Sequence, residues 1–315
     1  MTARVFIDGE AGTTGLQIRE RLAGRRDIEL ISIDPARRKE LSARAELLNA
    51  ADVAILCLPD DAAKESVSLI ENSKTKVIDA STAHRVDPEW NYGFAEMAKG
   101  QKQAIAEGRF VSNPGCYPQG LIATVRPLVE GGLIPADFPL TMNAISGYSG
   151  GGRQMIETYE SEAQPAPYMP YALGFNHKHL PEMQLNAKLD VAPLFQPAVG
   201  NYAQGMVTCI PLQLSALKSA PSGKTLHEAI SDYYADSEGF VEVAPFEAVQ
   251  KVPELNPETF NGTNTMRLYV FANDDRAQAV LMAVYDNLGK GASGAAVQNL
   301  NLMLGIDQKS GLTVD

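Results

Sequence analysis

"ARVFIDGEAGTTGLQIRERLAG" occupies residues 3–24. Its first six residues are a short β-branched and aromatic run, which reads as a strand. Glycines at 9, 12 and 15 break the run. "GLQIRERLAG" (15–24) follows with Leu16, Ile18 and Leu22 at roughly helical spacing. Glycines at such a turn let the backbone bend sharply and approach a ligand, and the helix behind them aims free N–H groups at an anion. The spacing is G-x-x-G-x-x-G rather than the commoner G-x-G-x-x-G. A glycine triplet alone serves turn geometry as readily as binding. Its place after the first strand of a doubly wound sheet favours a dinucleotide phosphate site at Gly9, Gly12 and Gly15.

The neighbouring stretches supply that sheet. "IELISID" (28–34) reads as a second strand, residues 36–50 as a polar helix and "DVAILCLP" (52–59) as a near-continuous apolar strand. "DDAAKESVSLIENS" (60–73) reads as a helix and "KVIDAS" (76–81) as another strand. This alternation predicts an α/β, Rossmann-type parallel sheet covered on both faces, closing near residue 110. A second, α+β part begins near Cys116. A helix is predicted over 118–130 and strands over 139–146, 205–213, 239–243, 266–272 and 278–287, followed by a glycine break and "SGAAVQNLNLMLGI" (293–306). This pattern fits a mostly antiparallel sheet. Residues 161–177, rich in Pro, Tyr and Gly, read as a loop.

Composition narrows the function. The chain has 315 residues, is 45% hydrophobic and carries a net charge of -11, so it can bury a large core and has no electrostatic footprint for nucleic acid or an anionic membrane. No apolar run approaches the roughly 20 residues that span a bilayer. The N-terminus lacks a basic region followed by a cleavable apolar stretch, so secretion is not expected. The 3 cysteines, Cys57, Cys116 and Cys209, form neither a disulfide framework nor a zinc pattern. A reduced, cytoplasmic setting is expected.

The second strand is followed by "DPARRKE" (34–40). Asp34 at that position favours a ribose hydroxyl and hence NAD, whereas Arg37 and Arg38 accommodate a 2′-phosphate. The arginine pair favours NADP, against a plain solvated helix face. Pro59 in "CLPDD" (57–61) turns the chain near the cofactor end of the third strand, and Cys57 reads as core packing.

Cys116 lies in "VSNPGCYPQG" (111–120), between the tight turn Asn113-Pro114-Gly115 and a helix whose first turn suits Pro118. A helix N-terminus lowers a thiol pKa and offers N–H donors to an oxyanion. Local reasoning leaves nucleophile and buried packing evenly matched. Among the 4 histidines, His177 and His179 stand two apart in "FNHKHLPE" (175–182), with Glu182 close behind. In an extended segment both would face one side, one exchanging a proton and the other orienting. The alternative metal reading finds no third ligand at matching spacing. His227 reads as structural. "DASTAHR" (79–85), with two hydroxyls and Arg85, and "SGYSGGGR" (146–153), a flexible turn with Arg153, each suit an acidic substrate group. A thiol beside a nicotinamide cofactor implies aldehyde or acyl-phosphate redox chemistry.

Together "DGEAGTTG" (8–15), "DASTAHR", "SNPGCYPQG" (112–120), "SGYSGGGR", "HKHLPE" (177–182) and "KGASGAAVQNLNLMLG" (290–305) resemble the short form (type 2) of the N-acetyl-gamma-glutamyl-phosphate reductase family, in the semialdehyde dehydrogenase superfamily. The matches run from end to end in the expected order. "NPGCYPQG" with a later H-x-H-x-P-E is specific, and the glycine turn is not. The resemblance implies NADPH-dependent reduction of N-acetyl-L-glutamyl 5-phosphate to its semialdehyde, in arginine biosynthesis, with Cys116 carrying the acyl group. It implies an acid/base at His179 or His177, with Glu182 nearby. Gly9, Thr13, Thr14 and Gly15 would hold cofactor phosphates. Ser81, Arg85, Asn113, Ser146 and Arg153 are the implied substrate or nicotinamide contacts, with Asn299 near the nicotinamide. The domains implied are 1–115, completed by the C-terminal helix in 291–315, and a catalytic and dimerisation domain over 116–290. Such enzymes are homodimers or homotetramers. The rivals are an aspartate-semialdehyde dehydrogenase-like enzyme and an NADP-sensing regulator, which would need neither Cys116 nor the histidine pair.

Overall fold

Val5, Phe6 and Ile7 are all buried in β1 (Ala3–Asp8), because a strand covered on both faces has no polar side. Their side chains alternate. Val5 and Ile7 join one apolar cluster with Ile18 and Leu22 of α1 (Thr13–Leu22), while Phe6 joins another with Leu48 of α2 (Leu41–Ala50) and Ala63 of α3 (Asp60–Ser68). The computed structural model describes residues 2–38, 40–161, 164–246 and 255–314. The chain divides into two compact units, one of Met1–Gly115 with Ala292–Leu312 and one of Cys116–Gly291 with Thr313–Asp315.

The first unit continues through β2 (Ile28–Ile31), β3 (Val53–Leu56), β4 (Lys76–Asp79), β5 (Asn91–Tyr92), α4 (Gln101–Glu107) and β6 (Phe110–Ser112). The strands pair in parallel in the order β2-β1-β3-β4-β6-β5, which is the doubly wound architecture expected. Several boundaries differ. Leu16 points outward, 44% exposed, because two residues along a helix turn the side chain by about 200° away from Ile18. The polar helix starts at Leu41 rather than 36. Asp34 instead folds 34–38 into a turn by accepting the Ala36 N–H at 2.9 Å, and residue 39 lies outside the described residues. β5, α4 and β6 are too short to show a period in the sequence.

The second unit comprises α5 (Cys116–Glu130), β7 (Thr141–Gly147), α6 (Gly152–Ser161), β8 (Tyr168–Pro170), α7 (Leu180–Asn186), β9 (Leu194–Gly200), β10 (Met206–Gln213), α8 (Gly223–Tyr233), β11 (Val241–Val243), β12 (Met266–Asn273) and β13 (Gln278–Tyr285). Its sheet runs β11-β12-β13-β10-β7-β9-β8. β7–β9 and β11–β12 are parallel and the remaining ladders antiparallel, so the sheet is mixed with an antiparallel majority. The predicted loop over 161–177 contains β8, and its residues 162–163 lie outside those described. The predicted flexible turn at 146–153 is in fact tied down. It spans the end of β7, one 3₁₀ turn and the start of α6, and the N–H groups of Gly147, Tyr148 and Ser149 all bond carbonyls in 202–205.

The chain then returns to the first unit as α9 (Gly294–Met303), all ten residues of which are buried. Among the described residues no helix is long and apolar enough to cross a membrane.

Candidate active site

The turn after β1 is shaped by backbone contacts. Gly9 has φ +92°, and a Cβ there would sit 2.3 Å from the Cys57 carbonyl oxygen. A Cβ at Gly15 would sit 2.6 Å from the Gly9 oxygen. Gly12 meets nothing closer than 3.5 Å, and it caps α1 with no side-chain hydrogen bond. The first N–H groups of α1, from Thr13 onward, have no carbonyl one turn back to bond. The turn therefore presents unclaimed donors and open space, which fits a dinucleotide phosphate.

The residues expected around it are less uniform. Arg37 and Arg38 are exposed, and the Arg37 guanidinium pairs with Glu40 at 2.9 Å. Asp34 is exposed, its carboxylate engaged by the Ala36 N–H. Pro59 stands at the N-cap of α3.

Further along the strand ends, Asp79 is fully buried. It receives the Ser81 hydroxyl at 2.7 Å and the Ser81 N–H at 2.9 Å, and His84 Nδ1 lies 2.6 Å from it. His84 stacks on Trp90 with ring centroids 4.1 Å apart. Arg85 is buried and donates to the backbone oxygens of Asn113 (3.0 Å) and Ala80 (3.1 Å). Asn113 donates to the Ala292 oxygen at 3.0 Å and accepts from Asn299 at 3.2 Å. Asn299 also donates to the Gly93 oxygen at 2.9 Å. Arg85, Asn113 and Asn299 thus fasten the strand ends to α9.

In the second unit Cys116 is the first residue of α5 and is half-buried. The Tyr285 hydroxyl spans that first turn. It donates to the Cys116 carbonyl at 2.6 Å and accepts the Gly120 N–H at 3.1 Å. A Cβ on Gly291 would come within 3.1 Å of the Cys116 Cβ, so glycine keeps room for the thiol-bearing residue. Gln119 fixes the same turn by donating to the Lys290 oxygen at 2.8 Å.

The residue after the thiol, Tyr117, enters an aromatic cluster with His177, His179, Phe195 and Tyr171. His177 and His179 rings lie 4.6 Å apart, and each lies 6.2 Å from Tyr117. Phe195 lies 5.1 Å from both Tyr117 and His177. The histidines are not on an extended segment. The Leu180 N–H bonds the His177 oxygen at 3.0 Å, so a turn brings the rings together edge to face. The His179 N–H donates to His177 Nδ1 at 3.1 Å, which places the proton of a neutral His177 on Nε2. Glu182 is buried in the first turn of α7, 1% exposed.

Burial pushes the Tyr117 and Tyr285 phenols well above the ordinary range and Tyr171 up to about 12, and charge at Cys116 pushes each further. All three therefore stay protonated, and the Tyr117 and Tyr285 hydroxyls donate to the backbone oxygens of Ala198 and Cys116. The other two thiols are shifted away from ionisation. Burial, then Asp79 and Asp8, push Cys57 up to about 12, and burial raises Cys209. Ser146 is buried, donating to the Gly147 oxygen at 3.2 Å. Arg153 is 75% exposed on α6 and lies 3.5 Å from Glu157. Among the described residues no group of three His, Cys, Asp or Glu side chains could hold a metal ion.

Sequence reasoning missed Tyr117, Tyr171 and Tyr285. Tyr117 was beside the thiol in the quoted motif. Tyr285 carried no signal, since an aromatic at the end of an apolar strand reads as core. The Asp8–Arg44 pair was missed as well.

Residues 4–105 match the family model described as semialdehyde dehydrogenase, NAD binding domain. Residues 116–287 match the one described as semialdehyde dehydrogenase, dimerisation domain. A Chelativorans protein called N-acetyl-gamma-glutamyl-phosphate reductase is 67% identical, covering 96% of this chain and 99% of its own. One of the same name from Mesorhizobium japonicum is 65% identical, covering 97% and 100%. In fold, the chain resembles aspartate semialdehyde dehydrogenase II of Vibrio cholerae, with a TM-score of 0.69 at 14% identity over 97% of this chain and 99% of that one.

Proposed function

We propose a reaction for this protein on one premise: the chain belongs to the semialdehyde dehydrogenase family, among its N-acetyl-gamma-glutamyl-phosphate reductases. It reduces N-acetyl-L-glutamyl 5-phosphate to N-acetyl-L-glutamate 5-semialdehyde and phosphate with NADPH, a step of arginine biosynthesis. One observation carries the reading. The thiol of Cys116 opens α5 in the same unit that packs two imidazoles against its neighbour Tyr117, in a chain matched end to end by reductases of that name.

The Cys116 thiolate attacks the acyl carbon of the substrate. The carbon–oxygen bond to phosphate breaks, phosphate leaves with the electron pair and takes up a proton, and a thioester remains on the sulfur. NADPH, when bound, supplies the hydride. As the thioester carbonyl carbon is reduced, His179 gives its oxygen a proton, forming a thiohemiacetal. His179 then takes the hydroxyl proton back, the carbon–sulfur bond breaks, and the aldehyde leaves the thiolate restored. His177 Nδ1 holds the His179 backbone N–H, and Glu182 stands in the first turn of α7, the helix that His179 caps. The helix N-terminus favours negative charge on the sulfur and on the substrate oxygen. In the first unit, the N–H groups of Thr13, Thr14 and Gly15 would hold the cofactor phosphates behind Gly9 and Gly12. Arg37, once released from Glu40, and Arg38 would meet the 2′-phosphate. Asp34, Pro59 and Asn299 would shape the remaining cofactor wall. Ser81, Arg85, Asn113, Ser146 and Arg153 are the proposed substrate contacts, of which Arg153 is the exposed one. The dimerisation description of the model matched over 116–287 supports assembly of copies through the second unit.

The test runs the reaction backward, with N-acetyl-glutamate semialdehyde, phosphate and NADP, comparing wild type with Cys116→Ser. Phosphate-dependent NADPH formation that the substitution lowers by about 10³-fold or more is expected. Activity on aspartate semialdehyde instead would replace the substrate and leave the chemistry.

A further inference from the structure

Two carboxylates are buried at the carboxyl edge of the parallel sheet, on either side of β3. Asp8 ends β1 and Asp79 ends β4. Resting on the proposed function, this edge is where an anionic dinucleotide must lie, against the turn that begins one residue after Asp8. An uncompensated carboxylate there repels the cofactor, and burial weakens the screening that water would provide.

Asp8 is not left uncompensated. Arg44 reaches it from α2 with a buried guanidinium, its Nε and Nη2 lying 3.2 and 3.1 Å from Asp8 Oδ2. The Ser66 hydroxyl from α3 donates to the same oxygen at 2.9 Å. Arg44 Nη1 is steadied by Glu65, 2.9 Å away. A buried ion pair is weak evidence for stability, because desolvation offsets much of its attraction and apolar replacements often serve as well. Its position immediately behind the phosphate turn gives the cation a different use.

We propose that Arg44 is a positioning residue of the cofactor site: it neutralises Asp8, so that the edge of the sheet accepts a dinucleotide anion. It touches neither cofactor nor substrate and acts through Asp8. The consequence is a pair of opposite signs. Removing Arg44 unmasks a negative charge and weakens cofactor binding. Removing the charge of Asp8 takes away a negative one, leaves Arg44 paired with Glu65, and tightens binding. A role in packing alone predicts that both substitutions lose affinity.

The experiment titrates wild type, Arg44→Gln, Asp8→Asn and the double variant with NADPH, following nucleotide fluorescence at low and high salt, after circular dichroism has established folding. At low salt Arg44→Gln should bind roughly five- to tenfold more weakly and Asp8→Asn about two- to fivefold more tightly, with the double variant near wild type. Both shifts should shrink at high salt. Loss of affinity in both single variants, or no change in either, overturns the proposal. If Arg44→Gln does not fold, the sign of Asp8→Asn decides, and anything but tightening overturns it. A wild type that binds no NADPH overturns the cofactor reading and this inference with it. Binding by wild type with the wrong signs overturns this inference alone.

Discussion

The turn after β1 is made of backbone, whereas the centre around Cys116 is made of side chains gathered from α5, the 171–179 segment, β9 and β13. At the turn, Gly9 and Gly15 are required because other backbone atoms occupy the space a Cβ would need. At Cys116, Tyr285 bonds the backbone oxygen, while the next residue, Tyr117, gathers the two imidazoles and, beside His177, Tyr171. A site of the first kind leaves obligatory glycines in a short stretch of sequence. A site of the second kind leaves aromatics that look like ordinary core.

The largest effect is expected at the glycines. Gly9→Ala should cost about 2–4 kcal/mol of stability in a denaturant titration, because it adds a left-handed φ to a backbone clash. Gly12→Ala has room for its methyl group and should cost less than about 1 kcal/mol while still weakening NADPH binding. Equal stability losses at both positions would mean that the turn is not divided into a structural and a ligand-facing glycine.

Tyr285→Phe sharpens the other half. It removes only the hydroxyl that joins the Cys116 carbonyl to the Gly120 N–H. About 1–2 kcal/mol of positioning should disappear, read as a roughly tenfold slower alkylation of Cys116 and a matching fall in kcat, with NADPH affinity unchanged. An unchanged alkylation rate would make Tyr285 simple packing.

The last effect is absent near neutral pH and concerns the thiol that is not used. Cys57 is pushed up to about 12 from an ordinary 9.0, so between those values the folded protein keeps a proton that the unfolded chain releases. The associated stability is fully present below pH 9.0 and is lost as pH rises toward 12, with a slope of about 1.4 kcal/mol per pH unit from this group. Denaturant midpoints across that range should fall, and Cys57→Ala should flatten the slope.

The parallel sheet was legible because each strand from β1 to β4 is a compact apolar run bounded by turn residues. The antiparallel majority of the second sheet was legible from its longer strands. β5, β6, β8, β9, α4 and α7 were not, since two to seven residues are too few to show a period. The H-x-H pair could be recognised as a pair, but its geometry could not, because the turn that joins the rings depends on the Leu180 N–H finding the His177 oxygen. Asp8 was quoted in the first motif without a role, since its partner Arg44 is 36 residues away on another element.

The course of α9 has a consequence for synthesis on the ribosome. The apolar cluster beneath β1, β3 and β4 includes Ala296, Val297 and Leu300, which emerge only after Cys116–Gly291 of the second unit have been made. The nascent sheet must therefore wait with that face covered only in part, by α1 and α4, while more than half of the polypeptide is translated. Chaperone occupancy during that interval, and the insolubility of any product truncated before α9, follow from the order in which the residues appear.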